Sequence, residues 1–159
     1  MVYELALRAS AITRASTTRL LINDRADVAS AAGADGVHLT TRSLEAAVIR
    51  ETFGPDFLIG VSSHSLAEAR AARAGGADFV VFGPVFETAS KQTYGAPVGL
   101  KMLSDVADEF APFPVIALGG IDESKALECL RAGASGVAAI RLFSQAEDLA
   151  KIVERLRGY

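Results

Sequence analysis

The chain has 159 residues, half of them hydrophobic and 22% charged, with a formal net charge of −3. This composition predicts a single domain over residues 1–159 with ample material for a core. The small negative charge and the absence of a basic block argue against nucleic acid and against a polybasic membrane patch. Because no apolar run approaches the ~18–20 residues of a membrane helix and no signal layout opens the chain, we expect a cytoplasmic protein.

Short apolar or β-branched runs alternate with stretches rich in alanine, leucine and glutamate. Each run has the continuous apolar character of a strand that is buried on both faces. Strands are predicted over residues 19–23, 36–40, 57–62, 79–86, 114–120 and 136–140. Helices are predicted over 27–32, 43–53, 66–74, 100–110, 124–132 and 145–156, and a further helix over 3–15 precedes the first strand.

Three of the predicted helices end in a nearly repeated phrase, AAGADGV, RAGGADFV and RAGASGV. A glycine at this place predicts a left-handed helix cap, after which a short turn leads into the next strand. Strand–helix units joined by such short connections predict an α/β fold with a parallel sheet.

Two parallel architectures are compatible with this pattern, a doubly wound sheet and a closed barrel. A doubly wound sheet is expected to carry a glycine fingerprint after its first strand, and none occurs here. The repeated glycine phrase favours a TIM-type (β/α) barrel, which has eight strands. Since six strands are predicted, the first two βα units of a barrel are expected to be absent. The strands at 19–23 and 136–140 would then be open edges, and we expect a homo-oligomer whose partner chain covers them.

The single cysteine, Cys129, excludes an internal disulfide. It lies in the predicted helix segment ALECLRAG with no basic residue directly beside it. We therefore predict a buried packing residue rather than a nucleophile.

Functional side chains of βα barrels lie at the carboxyl ends of the strands, and phosphates favour the last two loops. After the fifth predicted strand, Gly119 and Gly120 allow backbone N–H groups to approach a phosphate. Arg141, after the sixth strand, adds a charge-assisted contact. The alternative is a simple turn built from two glycines.

A second anion-binding candidate is the long polar connection over residues 87–95. Its hydroxyls and lysine are groups that hold anions, and connections of this length are usually functional. These residues are Thr88, Ser90, Lys91 and Thr93. A solvated surface loop is the alternative.

Two histidines and one aspartate are candidates with competing interpretations. His64 follows a strand end, where an imidazole can transfer protons near neutral pH, although a lone histidine is more often structural. His38 lies within a strand, which favours packing. Asp24 is a candidate Mg²⁺ ligand, with a salt bridge to Arg25 as the alternative.

Taken together, these segments resemble the thiamine phosphate synthase/TenI family in order and spacing over nearly the whole chain. The matching stretches are LLINDR (20–25), GADGVHL (33–39), IGVSSHS (59–65), GADFVVFGPVFETASK (76–91), PVIALGGI (114–121) and GASGVAAI (133–140).

The resemblance implies a barrel that binds thiazole phosphates in thiamine biosynthesis. By position, Asn23 and Asp24 match the family's substrate and Mg²⁺ site, and Ser62 matches its pyrophosphate-contacting serine. His64 matches the proton-transferring histidine of TenI-type thiazole tautomerases. The other matches are to phosphate-holding positions, namely Thr88, Ser90, Lys91, Gly120 and Ile140.

The chain also departs from the synthase pattern. Ser43 stands where synthases carry an aspartate that is a second Mg²⁺ ligand, and Arg141 stands where a serine is usual. The synthase strand Gln-x-Arg-Glu-Lys, which binds the pyrimidine pyrophosphate, would belong to the two βα units that are expected to be absent. The phrase VFET, in place of VFPT, leans toward TenI.

These departures favour a TenI-like thiazole tautomerase by a small margin, with no cofactor. The alternative enzyme is a Mg²⁺-dependent thiamine phosphate synthase joining thiazole phosphate to hydroxymethylpyrimidine pyrophosphate. Outside the enzymes, a module that binds thiazole phosphate without turnover is a further alternative, and a different phosphate-binding barrel is disfavoured by the ordered motifs.

Overall fold

The computed structural model describes residues 1–88 and 96–157 of the chain. Six strands follow one another through a sheet in chain order. The strands are β1 (Leu21–Asn23), β2 (Gly36–Leu39), β3 (Leu58–Ser63), β4 (Phe79–Phe82), β5 (Val115–Leu118) and β6 (Gly136–Ala138). The helices are α1 (Val2–Thr13), α2 (Ala26–Ala31), α3 (Ala46–Phe53), α4 (Leu66–Ala74), α5 (Gly99–Phe110), α6 (Glu123–Arg131), α7 (Arg141–Ser144) and α8 (Leu149–Arg157).

The register of the first strands places their polar ends side by side. β1, β2 and β3 pair in parallel, with Asn23 opposite His38 and His38 opposite Gly60. Since parallel strands all end at the same edge of a sheet, the residues that follow β1 and β2 lie at one edge.

The chain folds as two compact units, Met1–Ser63 with Glu68–Val80 and His64–Ala67 with Val81–Tyr159. Each unit is described by itself below. The single domain expected from the length of the chain stays a prediction.

In the first unit, Val37, Ile59 and Val80 are fully buried strand residues. Helix α1 packs through Ala6 against a small apolar cluster on α2 that includes Val28 and Ala32. The Ser10 hydroxyl donates a hydrogen bond to the carbonyl oxygen of Gly33 at 3.0 Å. The predicted helix before the first strand is thus confirmed.

The glycines of the repeated phrase, Gly33, Gly76 and Gly133, cap their helices with positive φ angles of 64°, 85° and 92°. The polar residue two positions later binds the backbone at the start of the preceding strand. The N–H groups that donate to Asp35, Asp78 and Ser135 are those of Leu20, Ile59 and Val115, at 2.7–3.2 Å. The bond from Leu20, together with Arg19, lowers the pKa of Asp35. The repeat therefore fixes both ends of each αβ connection.

In the second unit, Phe82, Leu103, Val106 and Phe110 are fully buried. Cys129 on α6 joins this core with no exposed surface. Desolvation, followed by the nearby Glu128 charge, raises the pKa of its thiol to about 11. The prediction of a buried packing residue is confirmed.

We expect the Cys129 thiol of the folded chain to resist alkylation by iodoacetamide at pH 8, because the thiolate is the reacting species and its pKa lies well above that pH. The same chain in urea is expected to be alkylated completely. Mass spectrometry of the two samples measures the difference, and rapid labelling of the folded protein would contradict the buried placement.

Three predicted boundaries shift by three or more residues. Strand β4 ends at Phe82, four residues early, because the chain turns at Gly83-Pro84. Helix α3 begins at Ala46 because a turn precedes it, in which the Ser43 N–H donates to the Thr40 carbonyl at 3.1 Å. The helix predicted over 145–156 begins only at Leu149, where the Asp148 carboxylate accepts the Lys151 N–H at 3.0 Å. The short helix α7 was not predicted.

Within residues 1–88 and 96–157, no helix is long and apolar enough to cross a membrane.

Candidate functional site

Asp24 follows β1 directly, in a left-handed conformation with φ of 59°. Its N–H donates to the His38 carbonyl at 3.0 Å, which fixes this conformation against β2. Its exposed carboxylate accepts hydrogen bonds from the Ser43 hydroxyl and, at 3.3 Å, from the Thr40 hydroxyl. Asp24 is therefore a carboxylate held by two hydroxyls at the carboxyl edge of the sheet.

The salt bridge considered for Asp24 and Arg25 does not form. Arg25 pairs instead with Asp27 at 2.6 Å. The hydrogen bond from Arg25 lowers the pKa of Asp27 to about 2. Asp24 is left with its hydroxyl partners, and its Oδ2 has no hydrogen-bond partner in the described ranges.

The fit of Asp24 to Mg²⁺ follows from the chemistry of its surroundings. In the part of the chain that the structure describes, no group of three or more His, Cys, Asp or Glu side chains is placed to hold a metal ion. Mg²⁺ commonly takes one or two carboxylates and completes its shell with substrate phosphate oxygens and water. Asp24 fits a Mg²⁺ ion shared with a substrate, but not one held by protein ligands alone.

His38 and Ser62 form a second polar pair in the first unit. The Nε2 atom of His38 lies 2.9 Å from the Ser62 Oγ, and both residues are half-buried. The prediction that His38 serves packing misses this bond, which orients the serine hydroxyl. Next to Ser62, the Ser63 hydroxyl is buried and has no partner among the described residues.

In the second unit, His64 is half-buried, and its Nδ1 contacts the Gly83 carbonyl oxygen. A carbonyl can only accept, so Nδ1 carries the proton in this contact. Nε2 is then the basic nitrogen of the neutral ring. This geometry is compatible with proton transfer and equally with a structural role.

Gly119 and Gly120 have φ angles of 105° and 65°. A Cβ on Gly119 would lie 2.5 Å from Pro84 Cα, and one on Gly120 would lie 2.5 Å from the Glu87 carbonyl oxygen. Both glycines are therefore required by the close approach of the segment that follows β4. The alternative prediction, two glycines in a simple turn, explains only the backbone conformation. The packing against the segment after β4 also explains why there is no room for a side chain at either position.

Arg141 and Gly120 line a cavity of about 790 Å³ in the second unit. Lys125 in its wall donates to the Gly120 carbonyl at 3.3 Å and lies 5.3 Å from the centre of the Phe86 ring. The other charged residues of the lining carry both signs, and they are Glu87, Asp122, Glu123, Glu147, Asp148, Lys151 and Arg155.

The remaining predicted residues are placed as follows. Ile140 directly precedes α7 and is 81% exposed. Thr88 is half-buried, and Asn23 is exposed at the end of β1. The predicted residues that lie outside the described ones are Ser90, Lys91 and Thr93.

The family model described as thiamine monophosphate synthase matches residues 1–143. The chain belongs to this family. It is 53% identical over 137 residues to a putative thiamine-phosphate synthase of Geobacter sulfurreducens, covering 86% of this chain and 64% of that relative. It is 38% identical to a thiamine-phosphate synthase of Chlorobium phaeobacteroides, covering 99% of this chain and 78% of the relative.

Among solved structures, a thiamine phosphate pyrophosphorylase from Pyrococcus furiosus matches with a TM-score of 0.85 and 36% identity, covering 99% of this chain and 74% of that one. The predicted α/β fold of the TIM type and the resemblance to the thiamine phosphate synthase/TenI family are thereby confirmed. The chain spans about two thirds of the length of its Geobacter relative, so the activity of a whole family member enters only as a proposal.

Two contacts of this family member could not be derived from strand periodicity, the bond between Ser43 and Asp24 and the bond between His38 and Ser62. Both bonds join residues near the carboxyl ends of neighbouring strands. The first pair is 19 positions apart in the sequence and the second pair is 24 positions apart. The signal that could have found them is the parallel register, since aligned strand ends place the residues after them together.

Proposed function

We propose that the chain acts as a thiamine phosphate synthase, joining a thiazole phosphate to hydroxymethylpyrimidine pyrophosphate. The observation that carries the proposal is the match to synthases at 38–53% identity along most of the chain. The sequence favoured a TenI-like tautomerase by a small margin, but these relatives favour the synthase alternative and give the tautomerase no support.

In this reaction the thiazole nitrogen forms a bond to the exocyclic methylene carbon of the pyrimidine. The bond from that carbon to the pyrophosphate oxygen breaks, and pyrophosphate leaves with the electron pair. Groups that bind and neutralise the leaving oxygens lower the barrier, because negative charge develops there.

In the first unit, Ser62 is proposed to donate its hydroxyl proton to a pyrophosphate oxygen. His38 orients that hydroxyl by donating from Nε2 to the Ser62 Oγ, since a hydroxyl that donates to the ligand has its oxygen free to accept. Asp24 would hold Mg²⁺ through its carboxylate, with Ser43 and Thr40 fixing the carboxylate orientation. The ion, when bound, neutralises charge on the leaving group.

In the second unit, the backbone N–H groups of Gly120 and Ile121 and the guanidinium of Arg141 are proposed to bind the thiazole phosphate. Among the described residues, neither of these two N–H groups donates a hydrogen bond, so both are available to a ligand. Thr88, Ser90, Lys91 and Ile140 enter the same role through the family resemblance, as does Asn23 for the substrate in the first unit. His64 is proposed to be a positioning residue, because the synthase reaction does not require it as a base.

The purified chain, given both half-substrates and Mg²⁺, is expected to release pyrophosphate, which a coupled enzymatic assay measures. The Ser62→Ala variant should lower kcat by about 100-fold, because it removes a hydrogen-bond donor to the developing charge. Ser30→Ala removes a hydroxyl from the exposed surface of α2 and should leave kcat unchanged. His64→Ala should reduce it by less than about tenfold, below what acid–base catalysis typically contributes.

Three results would redirect the proposal. Interconversion of thiazole phosphate tautomers that disappears in His64→Ala would favour the tautomerase. Tight calorimetric binding of thiazole phosphate without pyrophosphate release would favour the binding module. If the folded chain binds neither half-substrate, the proposed function is wrong.

The homo-oligomeric state expected from the sequence stays a prediction.

A further inference from the structure

The two backbone N–H groups proposed to bind the thiazole phosphate belong to two consecutive trans peptide groups of the second unit. The N–H of Gly120 lies in the same peptide as the Gly119 carbonyl, and the N–H of Ile121 lies in the same peptide as the Gly120 carbonyl. Because a trans peptide is planar, its C=O and N–H bonds point in opposite directions. A hydrogen bond to each carbonyl therefore sets the direction of the N–H that a phosphate would meet.

The two carbonyls are held in different ways. The Phe86 N–H donates to the Gly119 carbonyl at 3.1 Å, so the first peptide is fixed by the backbone of the segment after β4. The Lys125 ammonium donates to the Gly120 carbonyl at 3.3 Å. The N–H of Ile121 thus depends on a side chain for its orientation.

The Lys125 ammonium is itself held in place. Its Nζ lies 3.3 Å from Asp122 Oδ2 and 5.3 Å from the centre of the Phe86 ring. The other carboxylate oxygen, Asp122 Oδ1, accepts the backbone N–H of Lys125 at 2.9 Å. This bond is the main cause of the lowered pKa of Asp122. A carboxylate, a ring and a carbonyl therefore fix an ammonium whose side chain is 38% exposed.

Support of the α6 N-terminus does not by itself explain a lysine at this position. The cap bond uses the backbone N–H, which any residue except proline provides, and a partly exposed ion pair contributes little to stability. The contact with the Gly120 carbonyl, in contrast, acts on the site. The positive charge draws electron density toward the carbonyl oxygen, so the N–H at the other end of the same peptide becomes a stronger donor.

We propose that Lys125 is a positioning residue for phosphate binding, which orients and polarises the peptide between Gly120 and Ile121 so that the Ile121 N–H donates to the thiazole phosphate. The inference rests on the phosphate site of the proposed function. It adds to that site a residue that acts on the phosphate through the backbone.

Inorganic phosphate is a probe of this site that requires no turnover. In ¹H–¹⁵N NMR spectra of the folded chain, its titration is expected to shift the amides of Gly120 and Ile121. Lys125→Met keeps a side chain of similar length without the charge and should weaken phosphate binding about tenfold, which corresponds to ~1.4 kcal/mol. Lys125→Arg retains a charged donor and should restore most of the affinity. Lys101→Met is the matched control, because it breaks an ion pair with Asp105 on α5 and should leave binding unchanged.

The pyrophosphate-release assay gives a second readout. Lys125→Met should raise the KM for thiazole phosphate about tenfold and leave kcat within about twofold of its value in the unchanged chain. The reason is that this phosphate keeps its charge through the reaction and is bound equally in the ground state and the transition state. Loss of a purely structural contact would not confine its effect to KM.

The outcomes separate this inference from the proposed function. Equal phosphate affinity in Lys125→Met and in the unchanged chain would overturn the inference and leave the synthase proposal standing. Absence of phosphate-induced shifts at Gly120 and Ile121 in the unchanged chain would also overturn it, because these N–H groups would then not bind phosphate. Phosphate binding that depends on Lys125, without any pyrophosphate release, would support the inference and count against the synthase.

Discussion

Replacing Ser43 with aspartate is expected to strengthen Mn²⁺ or Mg²⁺ binding by the folded chain at least about tenfold. The Ser43 hydroxyl contacts the Asp24 carboxylate, so a carboxylate at position 43 would lie beside it. Two carboxylates side by side repel each other, and a divalent cation between them relieves this repulsion while gaining a second oxygen ligand.

The titration of free Mn²⁺ by electron paramagnetic resonance measures this affinity without any substrate. Thr17→Asp, which adds the same charge to an exposed loop of the first unit, is expected to leave binding unchanged. Asp24→Asn in the Ser43→Asp background should remove the gain. If Thr17→Asp strengthens binding as much as Ser43→Asp, the effect is one of net charge, and the two-carboxylate interpretation is wrong.

The unchanged chain should bind Mn²⁺ more tightly once pyrophosphate is added, because a single carboxylate needs substrate oxygens to complete the metal shell.

The sequence identified Ser43 as the departure only through the resemblance to the family. Position 43 by itself is one hydroxyl in a polar turn, and nothing in its local pattern indicates that it contacts Asp24.

The fold could be predicted because its signals are local. Continuous apolar runs located all six strands, and the glycine of the repeated phrase located the helix ends at Gly33, Gly76 and Gly133. Helix α4 begins and ends at the predicted residues, Leu66 and Ala74. Both kinds of signal depend on short-range sterics and burial, which leave a direct trace in the sequence.

The side-chain partners at the strand ends could not be predicted in the same way. His38 lies in β2, a strand whose residues are largely buried on both faces of the sheet. Alternation of apolar and polar residues therefore does not indicate which face of the strand is polar. The bond of His38 to Ser62 depends on the register between β2 and β3, which is a property of two segments and not of one. Helix α7 was missed for a different reason, since four residues are too few for a periodic pattern.

The candidate phosphate site illustrates a further limit. Gly119 and Gly120 were singled out because glycines let a phosphate approach the backbone, yet the atoms nearest to both positions belong to the segment that follows β4. A residue type that serves packing and ligand binding alike gives one signal for two causes. Only a substitution that separates the causes can assign them.

Gly120→Ala is expected to lower the free energy of unfolding by about 2–5 kcal/mol, the largest change in stability among the substitutions considered. The left-handed conformation at φ of 65° contributes ~1–2 kcal/mol of this loss, because a Cβ is strained there. The contact with the Glu87 carbonyl at 2.5 Å contributes a further ~1–3 kcal/mol, because the backbone must move. Urea denaturation followed by circular dichroism measures the sum.

Gly99→Ala is the matched control, since Gly99 has a similar φ of 75° but nothing within 4 Å of an added Cβ. It should lose only the ~1–2 kcal/mol of conformational strain. The difference between the two variants isolates the close approach to the segment after β4. Equal losses would mean that this segment yields easily, and the packing explanation for Gly120 would then fail. In that case, weaker binding of inorganic phosphate by Gly120→Ala than by Gly99→Ala would assign the glycine to the ligand.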